Sequence, residues 1–325
     1  MTQEEKVERF QKAFKSIKEE MQKVIVGYEN VIEDVLICFF AGGNVLIESA
    51  PGLGKTLIAK TLADVLDLDH KRIQFTPDLM PSDIIGTTIV SETEDGKRYF
   101  EFQRGPVFTN ILLADEITRA TPKTQSALLE AMQERMVSVG GKTYDLSQPY
   151  FVIATMSPEA ESEGTYHMPE AQLDRFFFKL RLPKPDIDTL QVIGQRTTGR
   201  LRSSLRRVLT GEQALELQRT VREVRVPEAA ERHAVGLVMS THPETDQGSE
   251  AARKYLRYGS SPRGVQALIL GGKVRALIDG SLQVEPKHID AVAKQALNHR
   301  LLLNFEGQAE GVETEEIIEG VLAKT

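Results

Sequence analysis

The chain has 325 residues, 41% of them hydrophobic and 27% charged, with a formal net charge of −7. That length allows two domains with an ample core, and the composition excludes a collagenous or low-complexity chain. The acidic balance argues against sequence-nonspecific nucleic-acid binding, which needs a basic face. The lone cysteine, Cys38, excludes an internal disulfide. Flanked by Leu36, Ile37, Phe39 and Phe40, it reads as a buried structural thiol suited to a reducing cytosol.

The charged N-terminal pattern contains no secretory signal. Val7, Phe10, Phe14, Ile17, Met21 and Val24 recur at three- and four-residue spacing, predicting an amphipathic helix over 4–24 that docks on the core. A second helix is expected over 29–40, stopped by Gly42-Gly43, and a short buried strand over 45–47. The apolar region 35–47 is too short and too interrupted for a membrane span, which needs ~20 residues. A cytoplasmic, soluble protein is expected.

The segment Ala50-Pro51-Gly52-Leu53-Gly54-Lys55-Thr56 follows that strand and opens a helix running to about 66. Backbone amides at a helix start bind phosphate closely only where Cβ atoms are missing, here at Gly52 and Gly54. Lys55 supplies charge to the outer phosphates and Thr56 a hydroxyl to magnesium. Pro51, Leu53 and Leu57 complete the segment expected against the nucleotide. Ser49 stands where the longer phosphate-loop pattern has its first glycine.

A strand is expected over 72–75. The alternating stretch 87–102 contains Asp95-Gly96 and predicts a hairpin. A buried strand over 111–114 ends in Asp115-Glu116, whose carboxylates point to opposite sides if both keep strand geometry. Asp115 is the candidate magnesium ligand and Glu116 the candidate base for the attacking water. Thr121-Pro122 opens a helix, Gly140-Gly141 turns a second hairpin, and strands over 150–155 and 176–182 complete five. Strands alternating with helices indicate a parallel sheet covered on both faces.

Pro183 and Pro185 mark the domain boundary. The expected fold is α/β: a three-layer αβα P-loop core with a five-stranded parallel sheet over 1–183, then a small all-α C-terminal lid over 186–325. In the lid, Thr210 and Gln213 resemble a capping box, and Pro227, Pro262 and Pro286 start helices.

From 83 to 175 the chain resembles the MoxR family of AAA+ ATPases, through PSDIIG, FQRGPVF, ILLADEITRATPKTQSALLEAMQER, FVIATMSP and MPEAQLDRF. The phosphate loop, SPRGVQAL and NHRL extend the resemblance across nearly the whole chain. It implies ATP and magnesium as cofactors. The assembly it implies is a homo-oligomer, usually a hexamer, that remodels a protein client with a von Willebrand factor A domain partner.

The resemblance also assigns residues. Arg175 becomes an arginine finger for a neighbour's γ-phosphate, and Arg263 a second sensor whose phosphate contact governs lid rotation about 183–185. Ser157 takes the first-sensor position, Arg119 faces a neighbouring subunit, and Val26 and Gly27 lie near adenine. This chain departs from the family pattern at Ser157 and Met156, where asparagine and glutamine are usual, and at Thr118 and His167. Those departures predict slow basal turnover.

The six histidines show no metal-ligand spacing. Arg200, Arg202, Arg206 and Arg207 read as a solvated face or a subunit contact. Two other functions stay open: an ATP-gated assembly switch with little turnover, and a DNA-directed motor or loader. The acidic balance and the absence of tryptophan disfavour the second.

Overall fold

The computed structural model describes residues 2–158, 165–198 and 204–323. Helix α1 (Gln3–Gln22) starts at Thr2, whose hydroxyl accepts from the Glu5 amide while the Glu5 carboxylate accepts from the Thr2 amide. This reciprocal cap satisfies two of the donors that a helix start leaves open. Phe10, Phe14, Ile17 and Met21 are buried, so the apolar stripe is docked. Helix α2 (Glu29–Ala41) ends at Gly42, whose φ of 75° is the left-handed conformation glycine takes without a Cβ penalty. Cys38 lies on α2 with 0% exposure.

The core continues through β1 (Val45–Glu48), α3 (Lys55–Val65), β2 (His70–Gln74), α4 (Pro81–Ile85) and the hairpin of β3 (Gly86–Glu92) with β4 (Arg98–Arg104). Next come β5 (Ile111–Asp115), α5 (Pro122–Glu134), the hairpin of β6 (Met136–Val139) with β7 (Lys142–Asp145), β8 (Phe151–Met156), α6 (Glu170–Leu173) and β9 (Phe178–Arg181). The two hairpins turn at Gly96 and at Gly140-Gly141, all with positive φ.

Five strands form one parallel sheet in the order β2-β5-β8-β1-β9. Successive strand residues face opposite sides. Accordingly Val45, Ile47, Ile111, Leu113, Phe151 and Ile153 pack into one apolar cluster. Leu46, Leu112, Ala114, Val152 and Ala154 pack into another on the other face. Near-continuous apolar runs in β5 and β8 are the signature of strands buried on both sides.

The remaining elements are α7 (Ile187–Thr198), α8 (Gly211–Glu223), α9 (Glu228–Met239), α10 (Glu250–Tyr255), β10 (Leu256–Tyr258), α11 (Pro262–Ile278), α12 (Pro286–Asp290), α13 (Ala293–Leu297), β11 (Leu302–Leu303), α14 (Phe305–Ala309) and α15 (Thr314–Leu322). Thr210 and Gln213 form the expected capping box. The expectation of helices alone past 183 needs one correction: β10 and β11 pair antiparallel. Strands of three and two residues are too short to display a period of two in sequence.

Apolar residues of α8, α9 and α11, among them Leu217, Leu237 and Leu268, join the same cluster as those of α1, α2 and β1. The helical region and the sheet thus share a continuous core. No helix among the described residues is long and apolar enough to cross a membrane.

Candidate nucleotide site

The cleft lies at the carboxyl ends of β1 and β5, with the end of β8 between them, where parallel α/β sheets gather their ligands. Between β1 and α3 the chain turns through Gly52 and Gly54 at φ of 82° and 83°, and a Cβ on either would meet nothing within 4 Å. Their glycine character therefore serves backbone conformation, and the space above them is open for a ligand. Ser49 is not among the residues at positive φ, so the missing first glycine costs no strain. Its amide donates to the carbonyl of Met156, tying the loop to the end of β8 beside Ser157.

Lys55 is 9% exposed, and its Nζ lies 3.4 Å from the carbonyls of both Ser49 and Ala50. The ammonium is thus folded back over the loop that would receive phosphates. Pro51, Gly52, Leu53, Gly54, Lys55, Thr56 and Leu57 line a cleft of about 520 Å³ together with Lys60, Arg72, Gln74, Asp115 and Glu116.

Asp115 ends β5, but Glu116 does not continue the strand. Its φ of 58° and ψ of 50° lie in the left-handed region, uncommon for a residue other than glycine and a form of strain found at functional sites. The separation of the two carboxylates comes from this turn and not from strand alternation, and both line the same cleft. Thr155, fully buried on β8, fixes the turn. Its hydroxyl accepts from the Glu116 amide at 2.9 Å and donates to Asp115 Oδ1 at 2.7 Å.

Two β2 side chains hold the acidic pair. Arg72 donates to Asp115 Oδ2 through Nη2 at 2.7 Å and Nε at 3.2 Å, and through Nη2 to Gln74 Oε1 at 2.5 Å. Gln74 in turn donates to Glu116 Oε2 at 3.1 Å, which Arg119 also reaches at 3.1 Å. Arg119, expected to face a neighbour, is engaged within its own chain.

Sequence reasoning missed Arg72, Gln74 and Thr155. The available signal was register. Gln74 pairs with Asp115, and Ala114 with Ala154, which puts Thr155 next to the acidic pair.

A second, mostly apolar cavity of about 310 Å³ shares Gly52, Leu53, Gly54 and Leu57 with the phosphate cleft. Val24, Val26, Tyr28 and, from α7, Leu190 and Ile193 supply its other walls. Its size and apolar lining suit a base, and the shared residues join it to the phosphates. Gly27 does not line this cavity: at φ 79° it lets the linker pass Thr189, whose Cγ2 a Cβ would approach to 2.4 Å. The donor set fits magnesium nucleotide: a hydroxyl at Thr56, a carboxylate at Asp115 and a cationic, glycine-lined loop.

Arg175 is exposed, donates to Gln133 at 2.8 Å and is not among the residues lining this cleft. Arg263, the expected second sensor, lies 3.4 Å from Asp174, which also accepts from the Ser261 hydroxyl at 2.8 Å. The start of α11 packs beside the Arg175 segment, which draws Arg263 toward Asp174 and keeps it out of the cleft lining.

Buried Arg300 donates to Asp174 Oδ1 at 2.9 Å. Burial pulls its pKa down to about 10 while Asp174 pulls it up, so the guanidinium remains charged near neutrality. Of the arginine cluster, Arg206 pairs with Glu20 and Arg207 with Asp67; Arg200 and Arg202 lie outside the described residues.

A phosphate loop after β1, one strand in from the β9 edge of this sheet order, faced by a strand-ending acidic pair, is the arrangement of an AAA-class P-loop ATPase. Residues 44–178 match the ATPase family associated with various cellular activities (AAA), and residues 248–321 match the AAA lid domain. The chain is 40% identical over 308 residues to YeaC of Bacillus subtilis, a protein of uncharacterised function, covering 94% of this chain and 92% of that one. It is 38% identical over 303 residues to the chaperone MoxR1 of Mycobacterium tuberculosis, covering 93% and 79%.

A crystal structure from Cytophaga hutchinsonii, of a protein presumed to be an ATPase, superposes with a TM-score of 0.91 at 41% identity, covering 99% of this chain and 97% of that one. The chain belongs to the MoxR family of AAA+ ATPases.

Proposed function

We propose that this ATPase is magnesium-dependent, works in the cytoplasm as a ring of copies, most simply a hexamer, and uses its cycle to remodel a protein client. In this reading 1–183 is the ATPase core and 186–325 the lid. The chaperone designation of MoxR1 supports the remodelling role, and the family resemblance supports a von Willebrand factor A domain partner. The observation that carries the ring is Arg175, exposed and outside its own phosphate cleft. A cation so placed is available to a neighbour's nucleotide, and Arg263, gathered with it around Asp174, goes to the same neighbour.

Catalysis is then positioning and electrostatics. The amides opening α3 bind phosphate oxygens, and Lys55 offsets their charge. Thr56 and Asp115 would hold magnesium, which would neutralise phosphate charge when bound. Glu116 takes the proton of the attacking water once Gln74 and Arg119 let it go. Ser157, just past β8, helps place that water.

The clasp on Glu116 also favours a second reading, an assembly switch that binds ATP and scarcely turns over. Mixing Arg175→Ala with Glu116→Gln protomers separates the two. Composite sites should regain activity above either parent, since an arginine finger contributes on the order of 10³–10⁵ in rate. Mixtures no faster than the parents, with protein that stays monomeric in ATP and magnesium, would overturn the ring. Oligomers that form on ATP without turnover would support the switch.

A further inference from the structure

The cleft contains a cation that none of the roles above uses. Arg72 places its guanidinium on the carboxylate that the ATPase reading assigns to magnesium, with two N–H groups on the single oxygen Asp115 Oδ2. Asp115 has little else. Its other oxygen accepts from Thr155, and its side chain is 10% exposed against 46% for Arg72. A nearly buried carboxylate needs a counter-charge, and here the counter-charge sits on a flexible, half-exposed arm. Such an arm can swing into solvent at little cost. The carboxylate cannot.

We propose that Arg72 is a placeholder for magnesium: it neutralises Asp115 in the empty site and must be displaced when magnesium nucleotide loads. This rests on the reading of Asp115 as a magnesium ligand. The two cations compete for one oxygen, so Arg72 weakens metal binding while protecting the folded, empty site. Its Nη2 also fixes the orientation of Gln74, which holds Glu116. Departure of Arg72 therefore frees the Gln74 amide, and metal arrival is felt at the residue that handles water.

The test is equilibrium binding of a fluorescent ATP analogue, titrated with Mg²⁺ in a Glu116→Gln background so that nothing turns over. Removing a half-exposed partner whose pairing is worth up to about 1 kcal/mol should lower the half-saturating Mg²⁺ concentration about three- to fivefold in Arg72→Ala. Binding in excess chelator should stay unchanged.

Two controls separate specific displacement from loss of a nearby positive charge. Arg72→Lys keeps the charge without the two-donor grip and should give an intermediate shift. Arg119→Ala removes an arginine that lies beside position 116 and not on Asp115, and should leave the Mg²⁺ titration nearly unmoved. An equal shift in Arg119→Ala would reduce the effect to general electrostatics and overturn the placeholder. Weaker analogue binding in Arg72→Ala would make Arg72 a phosphate ligand, which also overturns it. Should the parent protein bind no nucleotide at any Mg²⁺ concentration, the ATPase site itself is misassigned, an outcome distinct from a titration that Arg72→Ala fails to move.

Discussion

Arg300 donates through Nε to the Asp174 carboxylate at 2.9 Å and through Nη2 to the carbonyls of Asp174 and Phe176, gripping the backbone on both sides of Arg175. The guanidinium comes from the lid domain and the gripped segment from the ATPase domain, so the candidate finger is set by a lid residue. Asp174→Ala removes the only carboxylate that Arg300 touches among the described residues. Breaking a buried pair from one side costs about 3–5 kcal/mol. Arg300 keeps its carbonyl partners, so a loss of about 2–3 kcal/mol is expected by urea denaturation. A loss below about 0.5 kcal/mol would mean that the carbonyls alone satisfy the guanidinium.

Lys55→Ala and Glu116→Gln should fail in different ways. Without Lys55 the phosphates lose the ammonium folded over their loop, and nucleotide affinity should drop severely. Glu116→Gln should keep binding and slow hydrolysis by roughly 10²–10⁴-fold, the range for a general base. Calorimetric binding beside a phosphate-release assay tests both. Equal loss of affinity in the two variants would make Glu116 a structural residue.

Ser157 follows β8 directly and adjoins the start of the phosphate loop through the Ser49–Met156 contact. A hydroxyl offers one donor and a shorter reach than the asparagine amide usual in the family. Ser157→Asn should therefore raise turnover, by roughly tenfold if one hydrogen bond to a charged group is gained, with affinity nearly constant. Ser157→Ala turning over as fast as wild type, with no gain from asparagine, would remove this position from the chemistry.

Asp34 on α2 makes stability depend on pH. It accepts from Gln295 Nε2 at 3.1 Å. Burial pushes its carboxyl from 3.8 up to about 7, Glu33 adds to the rise, and Gln295, Arg275 and Lys18 oppose it. The folded pKa exceeds the unfolded one, so the folded state holds the proton more tightly. The contribution is fully present below about pH 4 and is lost as pH rises through about 7. Asp34→Asn cannot ionise, so its melting temperature should gain on wild type between about pH 5 and about pH 8. A difference that stays constant over that span would place the Asp34 titration elsewhere.

The phosphate loop, the acidic pair, the five strands and both hairpins were legible because each is local: a helix start, a turn dipeptide or an apolar run carries its own signal. What escaped was set by register across the sheet. Nothing near Arg72 in sequence marks it as a partner of Asp115, since 43 residues separate them. The left-handed turn at Glu116 was hidden for a different reason: glutamate normally avoids that conformation, and only the Thr155 hydroxyl across the sheet shows why it is held there. Nor does anything near Arg263 in sequence mark Asp174 as its partner, 89 residues away.

The single thiol, sealed within α2, makes the molecule its own stopwatch. Cys38 has no exposed surface, and burial pushes its thiol well above the usual range, so alkylating reagents meet neither access nor thiolate in the closed protein. Modification has to wait for the packing around α2 to part, and that packing includes both the sheet and the lid helices. The labelling rate therefore counts openings of the shared core alone, without interference from another thiol, because the sequence contains none. Followed with and without nucleotide, it would reveal whether the working cycle ever loosens the seam between the two parts of the chain.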